Sequence, residues 1–146
     1  MTNREYPLIL TPHPGEMGRL TGLSPKEVNA ERFTVSREYA RKFGCYLVLK
    51  GPNTIITTPE GAQYVSTSGS SALAKGGSGD ALTGIVLAMV LQGPTVEEGV
   101  CNAVYTHGLA AEIAINEGIS DYSFTASNLI DYLPKALTFI QSQKKR

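Results

Sequence analysis

Ala72-Leu73-Ala74-Lys75-Gly76-Gly77-Ser78-Gly79-Asp80-Ala81-Leu82-Thr83-Gly84 is the segment from which the architecture of this chain is best read. A Ser/Gly-rich stretch, Ser66 to Gly79, runs into a mainly apolar helix expected over residues 80–91, which Gly93-Pro94 stops. Glycine lets the backbone approach an anion closely. The first N–H groups of a helix have no internal partners, and the dipole adds about half a positive charge there. A loop of this kind before a helix is therefore an anion site suited to phosphate. Asp80 falls in the first helical turn, where a carboxylate can take a proton from an attacking hydroxyl. It can equally do no more than complement the helix dipole. The loop lacks the GxxxxGK[ST] spacing of a P-loop and the GxGxxG of a dinucleotide fold.

Upstream, Leu8-Ile9-Leu10 reads as a short strand that runs into Thr11-Pro12-His13-Pro14-Gly15-Glu16. The two prolines should stop any helix or ladder, so the first helix is expected from Glu16 to just before Gly22. His13 sits in a stiffened loop after a strand end, the place where open α/β sheets bind ligands. There it can orient a ligand, and Glu16 can hold a water or a metal-bound phosphate. A rigid turn with an exposed histidine is the plainer reading. Ser24-Pro25-Lys26-Glu27 is a capping box with proline at the first helical position. That helix is expected to reach Phe43, with Gly44 as a left-handed stop. Cys45 to Lys50 is nearly all apolar and suits a strand buried on both faces. Lys50, at its end, can meet phosphates, and Gly51-Pro52-Asn53-Thr54 can cradle a base or ribose; a capped strand and an ordinary turn would look the same. Residues 54–57 and 63–65 read as a hairpin across Pro59-Glu60-Gly61. Downstream, Thr95-Val96-Glu97-Glu98 opens a helix to about Asn116. A last helical region follows Thr125, with Pro134 kinking it or opening a new helix. His107, in mid-helix, reads as a core residue.

The chain has 146 residues, with 13 Lys+Arg against 13 Asp+Glu. At roughly 150 residues per domain this is one domain, large enough for a real core. Zero net charge gives no electrostatic reason to expect nucleic acid or an acidic membrane as partner. The basic end Lys144-Lys145-Arg146 reads as a solvated tail. Cys45 and Cys101 have no metal or disulfide spacing and are expected to be small buried hydrophobes. The start has no signal-peptide core, and the apolar run Ile85 to Leu91 is far short of the ~20 residues of a spanning helix. A soluble, reducing, cytoplasmic setting is expected.

Taken in order, Thr11 to Glu16, Lys50 to Thr54 and Leu73 to Gly84 resemble the ribokinase-like superfamily. Within it the chain is similar to the ADP- or ATP-dependent NAD(P)H-hydrate dehydratases, a carbohydrate-kinase-like family of nucleotide repair enzymes. Tyr105-Thr106-His107-Gly108, residues 125–130 and Leu133-Pro134 also fit. Sugar and vitamin kinases of the superfamily usually carry Asn where His13 stands.

The resemblance implies an α/β, three-layer α/β/α domain of which residues 1–146 are a single partial domain, the C-terminal half. It implies that His13 and Asp80 contact the hydrated nicotinamide nucleotide, with Asp80 as base. Lys50, Gly51, Pro52, Asn53 and Thr54 would line the adenine nucleotide. Gly79 would touch its phosphates, and N–H groups around Gly77, Ser78 and Gly79 would stabilise developing charge. ADP or ATP would phosphorylate the ring hydroxyl of NAD(P)H hydrate, and loss of phosphate would restore the reduced nucleotide. Mg²⁺ would bridge nucleotide oxygens, with Glu16 nearby. Ser70 stands where the family commonly has Asn. The family's N-terminal half has no counterpart here, so either a homo-oligomer or a separate N-terminal half is expected to cover a strand edge and an apolar face. A small-molecule kinase, a non-catalytic nucleotide-binding remnant and a purely structural remnant are the competing readings.

Overall fold

Of the two prolines beside His13, the second starts a helix. Pro14 takes the first position of α1 (Pro14–Thr21), where its missing N–H is no loss. The start lies ahead of the expected Glu16 because His13 itself caps the helix. The structure, a computed structural model, describes residues 4–143. The extreme N-terminus, Met1-Thr2-Asn3, and the basic end Lys144-Lys145-Arg146 lie outside the described residues. The chain divides into two compact units, with the boundary between Thr67 and Ser68.

In the first unit, β1 (Ile9–Leu10) is followed by α1, α2 (Pro25–Ala30) and α3 (Arg32–Phe43). Then come β2 (Tyr46–Leu49), β3 (Thr54–Thr57) and β4 (Gln63–Ser66). The sheet order is β1-β2-β3-β4. β1 pairs parallel to β2, with Ile9 opposite Tyr46, whereas β2-β3-β4 is an antiparallel meander. Leu47, Val48 and Leu49 are fully buried, as a strand apolar on both faces requires. The core gathers Met17, Val28, Ala40, Leu47 and Leu49.

The Ser24 hydroxyl and the Glu27 carboxylate form the expected capping box. The single helix expected from there to Phe43 is instead two. Glu31, at φ −126° and ψ 37°, leaves helical geometry, and α3 starts at Arg32. No glycine or proline marks this break. Gly44 closes α3 at φ 57°, in the left-handed region.

In the second unit, a 3₁₀ turn (Ser71–Leu73) precedes α4 (Ser78–Gln92), α5 (Val96–Asn116) and α6 (Ala126–Gln143). Thr95 caps α5 through the Glu98 N–H. Pro134 lies inside α6, which neither ends nor restarts there. The core is built from Leu109, Ala110, Ala111, Ala114, Phe124 and Leu129. Small residues let these helices approach closely. A Cβ on Gly99 would lie 2.7 Å from Val90 Cα, and one on Gly108 would lie 2.6 Å from the Ser68 carbonyl carbon. Cys45 is buried as expected, but Cys101 is only partly so. Among the described residues no helix is long and apolar enough to cross a membrane.

Candidate functional site

His13, Glu16 and Lys50 come together in the first unit. His13 Nδ1 accepts the Gly15 N–H at 3.0 Å and the Glu16 N–H at 3.2 Å. An acceptor cannot carry a proton, so the neutral ring is protonated on Nε2. Glu16 returns the bond, its Oε2 accepting the His13 N–H at 2.7 Å. The capping box thus uses histidine where serine or threonine is usual. This leaves the edge bearing Nε2, 3.5 Å from Glu16 Oε1, as the side of His13 that can still reach a ligand. Lys50 Nζ lies 3.7 Å from Glu16 Oε2. The His13 N–H above all holds the Glu16 carboxyl below its ordinary pKa; burial opposes it, and the Lys50 charge adds a lesser lowering. Glu16 is therefore engaged twice, and a metal there would have to displace both partners. Among the described residues no group of three or more His, Cys, Asp or Glu could hold a metal.

The turn after Lys50 is held from one side. Arg32 Nη1 donates to the Pro52 carbonyl at 2.5 Å. Arg32 Nη2 donates to Leu49 O at 3.1 Å and lies 3.4 Å from Lys50 O. The Thr54 hydroxyl donates to Gly51 O at 3.3 Å. Gly51 sits at φ +143° and Asn53 at φ 53°. Both are conformations that glycine and asparagine tolerate best. Beside the turn is a cleft of about 310 Å³ whose lining includes Asn29, Phe33, Asn53 and Val65.

In the second unit the glycine loop forms as expected, although α4 begins at Ser78 rather than Asp80. Gly77 is its cap residue at φ 86° and offers no side chain to the first turn. A Cβ on Gly76 would meet open space, so the approach to this terminus is unobstructed on that side. Ser78 is buried. Its hydroxyl is 2.5 Å from Leu73 O and 3.0 Å from Lys75 O, and so it staples the loop. The Ser78 N–H is also directed at Lys75 O, at 3.4 Å, so an anion at this terminus would compete with that carbonyl for it. Asp80 is exposed in the first turn, and among the described residues no hydrogen bond or ion pair engages its carboxylate. Ser70 caps the 3₁₀ turn through the Ala72 N–H. Lys75 Nζ donates to Tyr122 O at 2.6 Å, so its charge is spent on a neighbouring loop.

A family model for NAD(P)H-hydrate dehydratase matches residues 1–135, running through both units. The chain belongs to the NAD(P)H-hydrate dehydratase family. It is 46% identical over 137 residues to the bifunctional NAD(P)H-hydrate repair enzyme Nnr of Thermofilum pendens, a match covering 94% of this chain and 26% of that one. It superposes with a TM-score of 0.87 and 39% identity on the ADP/ATP-dependent NAD(P)H-hydrate dehydratase of Bacillus subtilis co-crystallised with ATP/Mg²⁺. That match covers 94% of this chain and 51% of the other. A ribokinase-like superfamily protein of Enterococcus faecalis matches with a TM-score of 0.69 and 28% identity. The fold is therefore α/β and ribokinase-like, and the chain spans about half, or less, of the length of these relatives.

Two residues of this family member escaped the sequence reading. Arg32 had no motif to mark it, because an arginine at the start of a helix looks like a solvated face. His107 is buried, as its mid-helix place suggests, but nothing in the sequence marks its contact with the glycine loop. Its Nε2 lies 3.0 Å from Ser78 O.

Proposed function

We propose that this chain takes part in the ADP- or ATP-dependent dehydration of NAD(P)H hydrate, supplying the base and the nucleotide-binding turns. The observation that carries this reading is Asp80, an exposed and unengaged carboxylate in the first turn of a helix whose N-terminus has no side-chain cap. An uncapped terminus with a glycine approach suits a phosphate. A carboxylate beside it suits proton removal from a hydroxyl attacking that phosphate. In this reading the ring hydroxyl oxygen of the hydrate bonds to the terminal phosphorus as the bridging P–O bond breaks, releasing AMP from ADP or ADP from ATP, and the hydroxyl proton passes to Asp80. The C–O bond then breaks, phosphate departs, and loss of a ring proton restores the reduced nicotinamide. Gly77 to Gly79 donate backbone N–H groups to the phosphate oxygens. Lys50 to Thr54 line the adenine nucleotide, and His13 contacts the hydrate through its Nε2 edge.

Mg²⁺, when bound, would neutralise nucleotide oxygens. It commonly sits on substrate phosphates with only one or two carboxylates, so it would need few ligands from this chain. Glu16, already engaged by His13 and Lys50, fits that role poorly. We read residues 1–146 as one partial domain that works with a second copy or with a separately supplied N-terminal half. The free thiols of Cys45 and Cys101 suit a reducing, cytoplasmic setting.

The test is recovery of reduced-nicotinamide absorbance from NADH hydrate with ADP or ATP and Mg²⁺. Recovery is expected to fall by about 10²–10⁴-fold in Asp80→Asn, the usual worth of a positioned base. Undiminished turnover in a folded Asp80→Asn protein would remove the assigned base. The chain's partial coverage of its relatives favours a second reading, a nucleotide-binding remnant without turnover. ADP or ATP binding that survives in the absence of any recovery would select it.

A further inference from the structure

All the carbonyls from Leu49 to Pro52 are occupied by side-chain donors of the chain itself. Arg32 takes those of Leu49, Lys50 and Pro52, and the Thr54 hydroxyl takes that of Gly51. We infer that Arg32 is a positioning residue for nucleotide binding, holding the Lys50–Thr54 turn so that its donor groups face the ligand. This rests on the proposal that the turn lines the adenine nucleotide. With three carbonyls of the turn on the guanidinium and the fourth on the Thr54 hydroxyl, the N–H groups of Gly51 and Asn53 are what the turn has left to offer a ligand. Pro52 has none to give. Successive N–H groups in such a turn make a concavity for anions and other acceptors.

The guanidinium also accounts for the glycine at position 51. A Cβ on Gly51 would lie 3.0 Å from Arg32 Nη2 and 3.3 Å from Cζ, so the cation packs where a side chain would be. The break at Glu31, which nothing local demands, lies immediately before Arg32. The fork of arginine matters here, because lysine is a point charge that cannot bind separate carbonyls in one plane. Arg41, farther along α3, holds a different turn in the same manner. Its Nε donates to Glu60 O at 3.0 Å, and a Cβ on Gly61 would lie 2.3 Å from that nitrogen. Arg41 thus provides an internal control.

The experiment measures ADP affinity by calorimetry and amide hydrogen exchange across the sheet, on the full chain. In Arg32→Met, ADP binding should weaken by about tenfold or more, the worth of lost hydrogen bonds to a charged group. Exchange at residues 51, 53 and 54 should quicken while that of β2 holds. Arg32→Lys should recover part of each effect. Arg41→Met should loosen the hairpin turn and leave ADP affinity unchanged. If Arg32→Met does not fold, Gly51→Ala displaces the guanidinium from the other side and should reproduce the loss. Lys50→Met separates the two claims. An ADP affinity that ignores Lys50→Met, or no binding by the unaltered protein, overturns the nucleotide reading and this inference with it. ADP weakened by Lys50→Met but unchanged, with unchanged turn exchange, in folded Arg32→Met overturns the inference alone.

Discussion

Ser78 and His107 show how much one residue can carry in the glycine loop. The Ser78 hydroxyl ties the loop to Leu73, and its carbonyl meets His107 Nε2 at 3.0 Å. A carbonyl only accepts, so His107 must carry its proton on that nitrogen. Replacing His107 by Phe keeps the bulk and removes the side-chain donor from the Ser78 carbonyl, which retains its helical bond, a cost of about 0.5–1.5 kcal/mol. We expect a lower Tm and weaker ADP binding together. A lower Tm with unchanged ADP affinity would reduce His107 to a core residue. Glu16 makes a different prediction. Its folded-state pKa is depressed, so its stabilising effect is complete above the unfolded carboxyl range and lost as pH falls through the folded pKa. Glu16→Gln retains the capping-box geometry and removes the titration. Stability near neutral pH should change by less than about 1 kcal/mol, since the pair is largely solvated, and the acid limb of Tm against pH should flatten. Parallel acid limbs in the two proteins would show that the depressed group is elsewhere.

Elements were legible where their signals are local and illegible where tertiary contacts decide. Ser24-Pro25-Lys26-Glu27, Gly44 and the 54–57/63–66 hairpin carry their own capping and turn chemistry. The break between α2 and α3 carries none, since Glu31 leaves the helix beside an arginine whose partners lie 17 to 20 residues away. His13 misled for a related reason. Its capping role needs an imidazole as acceptor, outside the usual Ser, Thr, Asp and Asn set. Among the candidate site residues, His13 and Lys50 of the first unit and Asp80 of the second stand out in the sequence as motifs. The commitment of Glu16 to Lys50, and the inward turn of Ser78, needed coordinates. Packing between elements was equally hidden. Gly108 looks like an ordinary helical glycine, yet its Cβ would lie 2.3 Å from Ser68 Oγ and 2.6 Å from backbone. Gly108→Ala should therefore cost about 1–3 kcal/mol by overpacking, despite the better helix propensity of alanine. Denaturant unfolding would show this, and a neutral or stabilised variant would mean that the Ser68 segment yields freely.

For the molecule as a whole the telling feature is α4. A helix apolar all round belongs in an interior. Leu82, Ile85 and Val86 are buried on one side of it, but Leu87 is 62% and Leu91 76% exposed. They are four residues apart and so share a face, with Ala88 and Gly84 exposed beside them. β1, at the edge of the sheet, is two residues long. The relatives are longer chains, of which this one spans about half or less. An exposed apolar face and a short, open strand edge are both surfaces that association can cover. Sedimentation velocity across a concentration series should accordingly show association of the 146-residue chain. Leu87→Glu with Leu91→Glu should abolish it while leaving helix content intact, because neither side chain supports the core. A concentration-independent monomer in the unaltered chain would show that this face needs no cover. Association that survives the double variant would place the contact elsewhere, with the β1 edge the next surface to test. If the double variant is monomeric and also loses recovery from NADH hydrate, the covered α4 face and catalysis are coupled. If it is monomeric and keeps full activity, the short chain works alone, and the longer relatives carry their second half for another purpose.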